Sequence, residues 1–218
     1  MRILVIAPHP DDEVLGCGGT IGRLSCEGNT ITLCIVTKPY PPDWSTEYIE
    51  KKAVEIEKSN KKLGISHTIF LGFPTVKLDT VPQKDLNDSL SKVISDEKPD
   101  IVFIPHNGDL NKDHRIVHEA ALVATRPICS SPVKKILAYE TLSETEWGHS
   151  IAQFRPGVYI DITGFIEQKK DAMQLYETEL NAAPHPRSLE LISALATKRG
   201  SEIGVEYAEA FMLIREII

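Results

Sequence analysis

His9, Asp11 and Asp12 stand together in the run Ala7-Pro8-His9-Pro10-Asp11-Asp12-Glu13. An imidazole and a carboxylate three residues apart on a turn can bind one divalent metal, and the neighbouring carboxylate is then free to move protons. That is the layout of a metal-assisted hydrolase. A second group of such residues follows in Pro105-His106-Asn107-Gly108-Asp109-Leu110-Asn111-Lys112-Asp113-His114-Arg115. His114 offers another imidazole, and Asp113 beside it can orient a ligand histidine through its far nitrogen. Two histidines and one carboxylate, with positions left open, describe a catalytic zinc site rather than a structural one. Singly, an Asp near a helix start reads as a cap and a His as a hydrogen-bonding surface residue. Both groups have to reach the same rim of the fold for the functional reading to hold.

The elements place them there. Ile3-Leu4-Val5-Ile6 reads as a buried strand that ends just before His9, and Ile101-Val102-Phe103-Ile104 as another that ends just before His106. Further strands are predicted at 31–36, 67–71, 135–139 and 158–161. Between them, apolar residues recur at helical spacing through Ile49 and Leu63, Leu86 and Val93, and Ile116 and Ala124. A long helix is predicted from Phe165 to Leu180 and a shorter one around Leu191, Ile192 and Leu195. This alternation implies an α/β fold, a Rossmann-like three-layer sandwich with a mainly parallel sheet and helices on both faces. Such sheets bind ligands at the C-terminal ends of their strands. The loop Pro39-Tyr40-Pro41-Pro42-Asp43-Trp44 follows the second strand on the same rim and reads as a wall or lid. No repeat, low-complexity stretch or linker interrupts residues 1–218, so a single domain is expected.

Composition excludes several classes. The chain has 218 residues and a formal charge of −7, which argues against a nucleic-acid binder needing a basic face. No apolar stretch approaches the roughly 20 residues of a membrane span, and the first strand is too short for a signal-peptide core. Cys17, Cys26, Cys34 and Cys129 lack C-x-x-C spacing and read as reduced, mostly buried thiols of a cytoplasmic protein. Self-association into a homo-oligomer is left open. Gly16, Gly18 and Gly19 invite a dinucleotide-binding reading, but the third glycine of that fingerprint is replaced by Ile21, and two carboxylates occupy the turn where pyrophosphate would sit. Close packing of the first helix on the sheet explains the glycines better.

The chain resembles the LmbE-like, or PIG-L, zinc-dependent N-deacetylases. The resemblance rests on Ala7-Pro8-His9-Pro10-Asp11-Asp12-Glu13 after the first strand and on Asp113-His114 after a later one. It extends over most of the chain, through Phe154-Arg155-Pro156-Gly157-Val158-Tyr159-Ile160-Asp161 and Pro186-Arg187-Ser188. It implies His9, Asp12 and His114 as zinc ligands, Asp11 as general base, and Asp113 as the acidic partner of the ligand histidine. Several members carry a histidine where this chain has Asn111, and many carry an arginine where it has Lys52, followed by Glu55.

The activity implied is removal of acetyl from a small N-acetylated amino sugar of the N-acetylglucosamine type. Zinc activates a water and polarises the amide, and Asp11 takes the proton. Asn111 or His106 is placed to steady the oxyanion, and His185 is a second candidate proton donor. Arg155 and Arg187 are candidate contacts for an anionic substrate group, and Trp44, with Tyr40, for a sugar ring. A zinc hydrolase of another small amide or ester is the alternative, as is a non-catalytic sugar-binding module. Retention of Asp11 weighs against the module.

Overall fold

Strand β1 (Arg2–Ala7) lies near the middle of a seven-stranded sheet of order β3-β2-β1-β4-β5-β7-β6. The computed structural model describes residues 1–128 and 133–218, so Cys129 lies outside the described residues. Strands β2 (Thr30–Lys38), β3 (His67–Pro74), β4 (Ile101–Pro105) and β5 (Lys135–Tyr139) all run parallel to their neighbours along that half of the sheet. β6 (Val158–Asp161) and β7 (Ala208–Glu216) close the other edge, with β7 antiparallel to both β5 and β6.

Helices cover both faces, each over its own core. On one face α1 (Asp12–Cys26), α2 (Thr46–Leu63), α5 (Ile166–Gln174) and α6 (Leu189–Ser201) pack over Ile3, Val5, Leu33 and Phe103. On the other, α3 (Gln83–Glu97) and α4 (Lys112–Ala124) pack over Leu4, Ile6, Val36 and Ile104. Alternate residues of β1 therefore feed alternate cores, as the period of two in a strand requires. The glycines of α1 allow the close approach expected of them. A Cβ on Gly16 would lie 2.2 Å from the Tyr139 ring, and one on Gly19 would lie 2.6 Å from Ile162.

Two elements differ from expectation. The long helix predicted over 165–180 ends at Gln174. Beyond it the chain spends its side chains on partners across the fold: Tyr176 donates to Glu13 at 2.7 Å, and Thr178 donates from its amide and its hydroxyl to Glu55. Those bonds outweigh continuation of the helical ladder. The strand β7 has no counterpart among the predicted elements. Its apolar run is broken by Glu209, which is buried and receives hydrogen bonds from Gly19 N, Thr20 N and Lys169 Nζ. A buried acid with three donors is satisfied locally, but it disguises the strand.

β1 is flanked by β2 on one side and β4 on the other, so the chain order reverses direction between β1 and β4. This is the switch point at which open α/β sheets place their ligands. The loops after β1 and β4 diverge there to opposite faces, into α1 and α4.

Candidate active site

The loop after β1 is held rigidly. Pro8 O accepts from Thr37 N at 3.0 Å and from Thr37 Oγ1 at 2.8 Å, tying it to β2. Asp11 caps α1, its carbonyl accepting from Val14 N and Leu15 N, both at 2.9 Å. Its φ of 115° lies where an aspartate is strained. Asp11 N donates to Glu13 Oε2 at 3.1 Å, and His9 N donates to Asp12 Oδ2 at 2.8 Å, turning the Asp12 carboxylate back across the loop.

The loop after β4 supplies the second imidazole. Asn111 caps α4 with its side-chain oxygen, which places His114 in the first turn. His114 Nε2 stands 3.2 Å from Asp12 Oδ2, and His9 Nδ1 stands 3.4 Å from the same oxygen. One ligand atom from each of His9, Asp12 and His114 lies within 4.8 Å of the others. Each imidazole is backed by a carboxylate at its other nitrogen. Asp109 Oδ2 is 2.9 Å from His114 Nδ1, and Asp113 Oδ2 is 3.0 Å from His9 Nε2. Asp113 thus pairs with a histidine of the proposed ligand set, but with His9 across the site and not with its chain neighbour His114, because its place on α4 turns it toward the first loop. Asp109, quoted in the sequence motif without a role, orients His114. Such carboxylate–histidine pairs accompany ligand histidines.

The residues fit a divalent cation. Asp12 Oδ1 is buried without a hydrogen-bond partner, an orphan that a metal would satisfy. The charge balance points the same way. Burial lowers the pKa of His9, but Asp113 and Asp12 outweigh it and raise the group to about 9. Burial likewise opposes charge on His114, and Asp12 and Asp109 reverse it and push the imidazole well up. Asp12 would be raised by burial, yet the two imidazoles hold it well below the carboxylate range. The site is built to hold positive charge at one point.

Asp11 behaves differently. Burial pushes its pKa well up against the pull of Arg187, and Asp12, Glu179 and Glu13 add to the rise. Arg187 Nη1 holds Asp11 Oδ2 at 3.1 Å and Glu179 Oε2 at 2.9 Å, while its Nε donates to Ser143 Oγ at 2.8 Å. Asp11 Oδ1 makes no hydrogen bond among the described residues. A buried carboxylate next to the ligand set, with one oxygen held and one free, has the makings of a proton acceptor.

Around these groups lies a cleft of about 200 Å³ whose walls include His9, Asp11, Trp44, Lys52, Asn111 and Arg187. Glu179 and Tyr48 complete it, with Lys52 Nζ and Tyr48 Oη both donating to Glu179 Oε1, at 2.6 and 2.8 Å. Glu179 carried no signal in the sequence, since it is brought in by the segment after α5 that departs from its predicted helix. Three candidates fall outside the cleft. His106 is buried but points its Nε2 at Ala152 O, 3.2 Å away, and stacks edge-on against Phe154. His185 is exposed and accepts from Arg187 N at 3.0 Å, so it shapes the turn that carries Arg187. Arg155 is exposed and donates to Gln153. Tyr40 packs edge-on against Trp44, with centroids 5.6 Å apart, and supports that ring from behind.

Comparison with known proteins agrees with the fold. The family described as PIG-L, GlcNAc-PI de-N-acetylase, matches residues 4–125, and the chain belongs to that family. A protein of Escherichia coli (strain K12), the uncharacterized deacetylase YaiS, is 34% identical over 149 residues, which cover 65% of this chain and 74% of that one. The 1D-myo-inositol 2-acetamido-2-deoxy-alpha-D-glucopyranoside deacetylase of Mycobacteroides abscessus is 24% identical, with 98% and 92% covered. Among solved structures, the conserved protein TT1542 of Thermus thermophilus superposes with a TM-score of 0.83 at 27% identity, covering 99% of this chain and 96% of that one.

Proposed function

We propose that this protein is a metal-dependent N-deacetylase that hydrolyses the acetamide of an N-acetylated amino sugar of the N-acetylglucosamine type. The observation that carries the reading is the convergence of His9, His114 and the orphaned Asp12 carboxylate beside a buried, half-committed Asp11. The deacetylase names of the curated relatives support it. Zinc suits the two imidazoles and one carboxylate. Held by His9, Asp12 and His114, it would supply Lewis acidity for the acetamide carbonyl and for the attacking water.

The side chains perform the remaining work. Asp11 Oδ1 accepts the proton of the attacking water, and burial keeps the carboxyl basic enough to hold it. Arg187 fixes Asp11 Oδ2 so that the other oxygen stays turned to the cleft. Asn111 uses its Oδ1 as a helix cap, which leaves its Nδ2 to donate to the developing oxyanion. Asn111 has no proton to transfer and His185 lies outside the cleft, so Asp11 returns the proton to the departing amine. Asp109 and Asp113 keep the imidazoles in place. Trp44 and Tyr48 present ring surface to the sugar, while Lys52 is drawn onto Glu179 rather than left free for an anion.

No described helix is long and apolar enough to cross a membrane. The thiols of Cys17, Cys26 and Cys34, unpaired among the described residues, support a cytoplasmic setting within the same proposal. Zinc-loaded protein incubated with a panel of N-acetylated amino sugars tests the reading. Acetate and free amine are expected in equal amounts. Hydrolysis of an unrelated amide or ester, with no acetate from any sugar, would overturn it.

A further inference from the structure

Beside the catalytic cleft lies a larger apolar groove, of about 800 Å³, between α2 and the outer strands β2 and β3. Its walls are Ile35 of β2, Ile49, Ala53 and Ile56 of α2, and Ile65 and Phe70 at β3. The groove exists because α2 packs against α5 and anchors Glu55 to Thr178, leaving an open wedge over the edge of the sheet. β3 is the edge strand, and Phe70 is 60% exposed. An apolar wall of this extent next to a reaction centre calls for an apolar occupant.

The groove and the cleft adjoin. Pro10, Pro39 and Lys52 line both, so the groove starts where the cleft that holds Asp11 ends, within reach of a group attached to a sugar bound there. The volume falls in the range of about 300–1,000 Å³ typical of small-molecule sites. Lys38 and Lys61 stand against Glu50 and Glu57 at the rim, and Lys52 is already paired with Glu55 and Glu179, so nothing there selects an ionic group. We infer that the groove between α2 and β3 is the subsite for an uncharged apolar aglycone carried by the amino-sugar substrate. This rests on the deacetylase reading and narrows it to amphipathic glycosides.

The test compares the methyl and octyl glycosides of N-acetylglucosamine as substrates of the zinc-loaded protein, with octyl glucoside, which lacks the acetamide, as a binding probe in calorimetry. The wild type should show kcat/KM at least about tenfold higher for the octyl than for the methyl compound, as burial of only a few methylenes suffices for this. Ala53→Trp fills the groove from an exposed face of α2 and should bring the two substrates level, leave the methyl rate unchanged and abolish octyl glucoside binding. Phe70→Ala removes one wall at an exposed position and should narrow the difference. Equal kcat/KM for both compounds in the wild type, or an octyl advantage that survives Ala53→Trp, would overturn the inference and leave the deacetylase reading intact. If neither compound is hydrolysed while octyl glucoside binds the wild type and not Ala53→Trp, the groove stands and the deacetylase reading fails. Dissociation of an oligomer by Ala53→Trp, seen in sedimentation velocity, would make the groove a subunit interface and overturn the inference.

Discussion

Replacing Asp109 by Asn should loosen the metal without unfolding the protein. Asp109 is fully buried; Oδ2 lies 2.9 Å from His114 Nδ1, and Oδ1 accepts from Thr145 Oγ1 at 2.5 Å. The amide keeps the shape and can still meet Thr145, but it removes the charge that fixes the imidazole with Nδ1 protonated and Nε2 turned toward Asp12. Loss of such a partner costs about 10–100-fold in metal affinity, or about 1.4–2.8 kcal/mol. Thr145→Val removes only the hydroxyl behind Asp109 and should cost less, whereas Asp109→Ala also strands His114 Nδ1 and should cost more. Zinc dissociation constants from competition with a chromophoric chelator provide the measurement, with near-UV circular dichroism as the control for folding. A correctly folded Asp109→Asn that binds zinc as tightly as the wild type would refute the reasoning that Asp109 positions His114.

Asp11→Asn should keep its metal by elemental analysis yet lose about 10²–10⁴-fold in turnover; near-normal turnover would place the base elsewhere. Gly16→Ala drives a methyl to 2.2 Å from the Tyr139 ring and should cost about 1–3 kcal/mol in urea unfolding. Lys169→Met strands Glu209, its partner at 2.6 Å with both side chains 5% exposed, and should cost about 3–5 kcal/mol by the same measurement. Lys198, with Tyr159 and Arg199 behind it, holds the Glu202 carboxyl down to about 2. A carboxyl depressed on folding adds stability above its unfolded pKa, and that gain is lost as pH falls through the folded one. Glu202→Gln should therefore be the less stable protein at neutral pH and converge with the wild type as the pH approaches about 2. A constant gap across that window would contradict the assignment.

Sequence pattern picked out the candidate cluster where chemistry and strand ends coincide. His9, Asp11, Asp12 and His114 follow short, strongly apolar strands, and the structure sets those two strands, β1 and β4, side by side at the switch point. What pattern missed depends on which way side chains turn once the loops meet. Asp113 is next to His114 in the chain but reaches His9 across the site, while Asp109, five residues earlier, holds His114. Glu179 and the end of α5 were hidden because Tyr176 and Leu180 continue a helical apolar spacing that long-range bonds to Glu13 and Glu55 override. β7 was hidden by Glu209, an acid that only the α1 amides and Lys169 make tolerable inside a sheet. Arg155 and His185 drew notice by residue type alone, and the fold leaves both on the surface.

The most direct test is a zinc titration of the stripped protein, following acetate released from an N-acetylated amino sugar. The account predicts no acetate at zero zinc and a rise that saturates at one equivalent per chain. With His114→Ala, no recovery should follow at the same zinc concentrations. Acetate release that survives stripping, or that His114→Ala restores at one equivalent, would contradict a metal centre built on His9, Asp12 and His114.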